Sequence, residues 1–179
     1  MITKKQCRRW IKNIAQSVLY HSSCSRAVVN NPRSVVFVCK GNVCRSAFAE
    51  YFMKAKVEAS TMHIRSCGLD VRVRSAAPGA ALSVARRKGL DLEDHLSKGV
   101  ELCDLENADL IIAMEYWHYR ALTAMYPHKK ESIRLLREFA PFPENILCNI
   151  NDPFGQDESR FEKCFAQIER AVSNVCAKI

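Results

Sequence analysis

Cys39 and Arg45 stand six positions apart in the segment Val35-Val36-Phe37-Val38-Cys39-Lys40-Gly41-Asn42-Val43-Cys44-Arg45-Ser46. An apolar strand runs into a short loop, and a helix-compatible run follows at once. Loop amides and the positive end of a helix dipole then converge on one point, which makes a cradle for an anion. That field favours a thiolate at Cys39. Arg45 can grip two oxygens of a phosphate bidentately. A nucleophile held against a bound phosphate implies cleavage of a phosphate monoester through a covalent intermediate.

The residues between them suit that role. Gly41 lets the backbone approach the anion, and Asn42 is the non-glycine residue best able to take a left-handed turn. Ser46 falls where a helix N-cap would, with its hydroxyl in reach of the Cys39 sulfur. Cys44, across a loop that curls back on itself, is either a reversible disulfide partner for Cys39 or a small residue packed under the loop. The leaving group needs an acid from elsewhere in the chain. Asn151-Asp152-Pro153-Phe154-Gly155 is the best candidate, because Asp152 projects from a turn set by proline and ended by glycine. Phe154 can then wall the entrance.

Strands and helices alternate around these residues. Strands are expected at 34–39, 62–67, 109–114 and 132–136, and helices at 46–58, 78–88, 115–125 and 158–178. This order argues for a parallel four-stranded α/β sheet with helices on both faces. The loop after the first strand opens at the carboxyl edge, where such sheets bind ligands. Residues 139–151 read as irregular.

With 48% apolar and 26% charged residues among 179, the chain can build a single domain with a real core. No apolar run reaches membrane-spanning length. Nine cysteines, an odd number without CxxC pairs or metal spacing, read as free thiols in a reducing, cytoplasmic setting. Seven basic and no acidic residues lie in 1–33, leaving 20 basic against 19 acidic in 34–179. The high pI therefore describes the arm, and no nucleic-acid partner is expected. Residues 1–20 fit an amphipathic helix with Trp10, Ile11, Ile14, Val18 and Leu19 on one side, and 21–33 read as a linker. Asn13 and Gln16 interrupt any signal-peptide core. The arm is either a flexible extension, a device for docking on a membrane surface or a partner, or a transit peptide.

Taken together, Cys39-Lys40-Gly41-Asn42-Val43-Cys44-Arg45-Ser46-Ala47 and Asp152-Pro153-Phe154-Gly155 closely resemble the signature loops of the low-molecular-weight protein tyrosine phosphatases. Ser66-Cys67-Gly68, His95 and Asp109-Leu110-Ile111-Ile112-Ala113-Met114-Glu115 are similar to further family positions, and the resemblance spans roughly 34–178. It implies a single three-layer, flavodoxin-like domain over 34–179 with strand order 2-1-3-4. It implies Cys39 as nucleophile, Arg45 as clamp, Asp152 as general acid and then base, and residues 40–46 as the phosphate-binding loop. Asn42, Ser46, Ser66 and His95 would hold that loop, and Arg72 and Phe154 would line the substrate slot. No metal or other cofactor is implied, because Arg45 and the loop amides supply the charge.

The expected substrate is a phosphotyrosine protein, such as a tyrosine kinase. Ala47 stands where the family usually has proline, and the loop after Gly68 lacks the aromatic that commonly walls the slot. Protein arginine phosphatases of the same fold tend to carry threonine where this chain has Val43. Arginine phosphatase is thus the alternative, followed by a non-catalytic phosphoprotein-binding module. An arsenate reductase would need a second shuttling cysteine near Cys103.

Overall fold

The computed structural model describes residues 4–23, 31–58 and 62–179, with side chains from residue 7 onward. Nine main elements follow in the order α1 (Lys4–Ser23), β1 (Ser34–Cys39), α2 (Arg45–Lys54), β2 (His63–Gly68), α3 (Gly79–Arg87), β3 (Leu110–Ala113), α4 (Tyr116–Met125), β4 (Ile133–Leu135) and α5 (Glu158–Cys176). Every strand pairing is parallel and the order is β2-β1-β3-β4, as expected.

β1 shows why this sheet is central. Its residues are almost wholly buried, and they alternate between two cores. Val35 and Phe37 pack with α2, α3 and α5 on one face, where Phe48 and Phe165 stack at 3.9 Å between ring centres. Val36 and Val38 face Tyr119 and Leu122 of α4 on the other. A strand covered on both sides must be apolar at every position, which is how it reads.

Three expectations need correction. The helix after the loop ends at Lys54 rather than reaching 58. Met53 is its last buried side chain, and Lys56 N–H bonds back to Met53 in a tightened final turn. The stretch 139–151 is not wholly irregular, since a 3₁₀ turn forms at Glu144–Ile146.

The third correction concerns the arm. The helix continues through Ser23, where a linker was expected from 21; residues 24–30 lie outside the described ones. More important, α1 is docked, and by its polar side. Ser17 Oγ accepts the N–H of Cys148 at 3.0 Å, and the Tyr20 hydroxyl accepts the N–H of Leu135, on the edge strand, at 3.0 Å. Asn149 Nδ2 donates to Asn13 Oδ1 at 3.0 Å and to Gln16 Oε1 at 2.8 Å. The Tyr20 ring is buried edge-on against Tyr119, 5.1 Å between centres. These contacts satisfy backbone donors of an edge strand and a loop, each of which would cost about 1–3 kcal/mol if buried and orphaned.

Candidate active site

Cys39 ends β1 at the carboxyl edge of the sheet, and the chain turns through 40–44 into α2. The turn depends on Asn42, whose φ of 52° is left-handed, as its residue type suggested. It also depends on Gly68, since a Cβ there would sit 2.6 Å from the Lys40 carbonyl and 2.9 Å from the Asn42 nitrogen. Gly41, by contrast, has room around it, with nothing nearer to an added Cβ than Val43 at 4.0 Å.

A buried polar network fixes this loop. Asn42 N–H donates to Cys39 Sγ at 3.2 Å, and Ser46 Oγ lies 3.0 Å from the same sulfur. Asn42 Nδ2 donates to Ser46 Oγ at 2.9 Å and to Ser66 Oγ at 2.7 Å, while its Oδ1 accepts from Lys98 N–H at 2.9 Å. Ser66 in turn donates to buried Glu50 at 2.5 Å. The carbonyl of Asn42 accepts from His95 Nε2 at 2.7 Å, so that nitrogen carries the proton. Burial pushes the His95 pKa down, against the opposing hydrogen bond to Asn42. A neutral ring suits the donor role.

Ser46 is not the N-cap. That position belongs to Cys44, without a side-chain cap, and Ser46 sits inside the first turn, where its hydroxyl is free to face Cys39. Cys44 is buried as a free thiol, its pKa raised first by burial and then by Asp152 and Cys39.

Arg45 is 1% exposed, which is unusual for a guanidinium and requires partners. Nη2 pairs with Asp152 Oδ2 at 2.7 Å, and Nη1 donates to the Ile150 carbonyl at 2.9 Å and to Glu115. Burial works against its charge, yet Cys39, Asp152 and Glu115 outweigh that penalty and the pKa rises. Nε is buried with no hydrogen-bond partner among the described residues, a donor free to serve a bound oxyanion. Glu115 is itself held by a capping box at the start of α4: its backbone N–H donates to His118 Nδ1 at 3.0 Å, and its side chain accepts from the His118 backbone. His118 must be neutral to accept, and burial followed by the Arg45 charge lowers its pKa to about 3.

Asp152 sits in an Asx turn, Oδ1 accepting Phe154 N–H at 3.2 Å. Cys39, Arg45, Asp152 and Phe154 line one open cavity of about 500 Å³. Val71 and Val73 provide aliphatic wall where no aromatic stands, and Lys40, Val43 and Arg72 also border it. Arg72 is solvent-exposed and lies 3.5 Å from Asp70. Every residue expected at the site is therefore brought to this cavity or to the network beneath it. Glu115, Glu50 and His118 were not expected. Glu115 was visible as the acidic residue just past a buried strand; the other two had no sequence signal beyond polarity within helices. Among the described residues, no group of three or more His, Cys, Asp or Glu side chains is placed to hold a metal.

A thiol at a strand end, a buried arginine and a carboxylate over a phosphate-sized cradle define a cysteine-dependent phosphatase architecture. Residues 34–179 match the profile of the low molecular weight phosphotyrosine protein phosphatases, and the chain belongs to that family. The low molecular weight protein-tyrosine phosphatase A of Mycobacterium tuberculosis is 34% identical over 154 residues, covering 80% of this chain and 90% of that protein. Among solved structures, the low molecular weight protein tyrosine phosphatase from T. tengcongensis superposes with a TM-score of 0.73 at 30% identity, covering 82% of this chain and 99% of that one. An arginine phosphatase from Geobacillus stearothermophilus shares the fold, with a TM-score of 0.73 at 24% identity over 82% of this chain and 92% of that one.

Proposed function

We propose that this chain hydrolyses phosphotyrosine in proteins through a phosphocysteine intermediate, with 34–179 as the catalytic domain. The observation that carries the reading is the convergence of Cys39, Arg45 and Asp152 on one cavity, with Asp152 bonded to Arg45 at 2.7 Å. In this mechanism the phosphate dianion sits on the 40–46 amides and Arg45. The Cys39 thiolate attacks phosphorus, the P–O bond to tyrosine breaks, and Asp152 gives its proton to the departing phenolate. Asp152, now a carboxylate, takes a proton from water as that water attacks the phosphocysteine, releasing phosphate and the thiolate. Asn42 N–H and the Ser46 hydroxyl stabilise the thiolate as nucleophile and leaving group.

Support for phosphotyrosine over phosphoarginine comes from aliphatic Val43 and from Phe154 at the cavity wall, suited to stack on an aryl ring. The eight described cysteines are all free thiols, which supports a reducing, cytoplasmic compartment. If peroxide oxidises Cys39 to the sulfenic acid, the Cys44 thiol on the same cavity can displace hydroxide from it and form a disulfide. Burial raises the Cys44 pKa, which keeps the attacking thiolate scarce at neutral pH, so the resolving step should quicken as pH rises.

The test is hydrolysis of matched phosphotyrosine, phosphoserine and phosphoarginine peptides. Phosphotyrosine turnover should vanish with Cys39→Ser and fall roughly 10²–10⁴-fold with Asp152→Ala. Preference for phosphoarginine would keep the mechanism and overturn the substrate class. Absence of turnover on all three would overturn both. Cys44→Ser should make peroxide inactivation irreversible by added thiol; full thiol recovery in that variant would remove Cys44 from the redox role.

A further inference from the structure

α1 presents three stripes, set by its turn of 3.6 residues. Asn13, Gln16, Ser17 and Tyr20 form the docked stripe. Trp10, Ile11 and Val18 mark a second stripe, continued by Leu19, and they are 61%, 57%, 62% and 54% exposed. Its centre lies roughly 150° around the helix from the docked one, so it faces away from the body. The third stripe is cationic: Arg8 precedes Ile11 by three residues, Lys12 precedes Ala15 by three and Leu19 by seven, and both cations are exposed.

This is the reverse of a helix stabilised by folding. Ordinarily the apolar face is buried and the polar face is solvated. Here the polar groups are used up on the body, and four large apolar side chains are left beside exposed cations. The region 1–33 holds no acidic residue, so nothing in the arm offsets that charge. No described helix is long and apolar enough to cross a membrane, so the face suits lying on a surface, not insertion through it.

We propose that α1 is an interfacial helix that holds the phosphatase body against an anionic lipid surface. The apolar stripe enters the headgroup–acyl boundary, Trp10 at the level such rings favour, and Arg8 and Lys12 meet lipid phosphates. The docked stripe then fastens the body to the membrane-bound helix. This proposal is independent of which phosphoester the cavity cleaves.

The test uses the full chain carrying Trp117→Phe, which leaves Trp10 as its single tryptophan. Vesicles of phosphatidylcholine alone are compared with vesicles containing phosphatidylglycerol. A blue shift of Trp10 emission and co-sedimentation are expected with the anionic vesicles only, weakening as salt rises. Ile11→Ser with Val18→Ser should reduce binding at least tenfold, and Arg8→Gln with Lys12→Gln severalfold. Both pairs should leave the melting temperature and hydrolysis of a soluble aryl phosphate unchanged, because these side chains are already exposed and do not line the cavity. Equal binding to neutral vesicles would overturn the anionic commitment. Failure to bind either vesicle would overturn the proposal. So would a wild-type dimer, seen by sedimentation, that the serine pair dissociates, since the face would then be covered by a second copy.

Discussion

The floor and the rim of the cavity are built on opposite principles. On the floor, Asn42, Arg45 and Ser46 are at most 1% exposed, and each is fixed by several hydrogen bonds. At the rim, Val73 is 76% and Phe154 62% exposed, and the Arg72 side chain is held by one solvent-exposed ion pair. In the proposed mechanism the floor positions a thiolate and three phosphoryl oxygens to within tenths of an ångström, a task suited to a buried hydrogen-bonded network. The rim meets the rest of the substrate, where mobility costs little. On the proposed reading, chemistry and selectivity fall to residues of different burial, and they should respond differently to substitution.

The strongest break of that contrast is Arg45→Lys. A lysine keeps the charge but loses the fork that reaches Asp152, Glu115 and Ile150 together. On a phosphotyrosine peptide kcat should fall roughly 10²–10³-fold; a loss below tenfold would show that charge alone suffices. Next comes Asn42→Ala, which removes bonds to Ser46, Ser66 and Lys98 and puts alanine at positive φ. It should cost about 3 kcal/mol of stability, with kcat reduced and KM nearly constant, read by denaturant titration and steady-state kinetics.

His118 sharpens the comparison through pH. Its pKa is depressed in the folded protein, so the unfolded chain binds the extra proton first. Stability is therefore intact above the unfolded value near 6.5 and lost as pH falls toward about 3. His118→Asn should be the less stable protein at pH 7, and the gap between the two should narrow by about 3 kcal/mol by pH 4. Parallel pH curves would place the titration elsewhere. The smallest effect is expected at the rim. Phe154→Ala should raise KM severalfold for an aryl phosphate, with melting temperature unmoved and kcat changed less than KM.

The parts of the site contiguous in sequence were the parts legible in it. The run from Val35 to Ser46 carries its own strand, turn residue and helix, so local rules suffice; the alternating order of elements argues for a parallel sheet, and its strand order came with the family resemblance. Glu115 and His118 depend instead on β3 lying beside β1, which brings a carboxylate to Arg45 from 70 residues away. Glu50 needed the knowledge that one face of α2 covers Ser66. The capping role expected of Ser46 failed because the helix began one residue sooner, at Arg45. The orientation of α1 was hidden for a different reason. Periodicity reveals that a helix has an apolar side but not that unpaired backbone donors at Leu135 and Cys148 will claim its polar side.

With Arg45 as the phosphate clamp proposed above, its pair with Asp152 makes ligand binding an exchange of anions. Before any phosphate arrives, the clamp already holds a carboxylate of its own chain, on a turn exposed enough to move. In the proposed mechanism an incoming phosphate dianion takes the place of that carboxylate on the guanidinium. By the same mechanism the exchange parts Asp152 from Arg45, and the freed carboxylate takes up a proton from solvent before it serves as the acid.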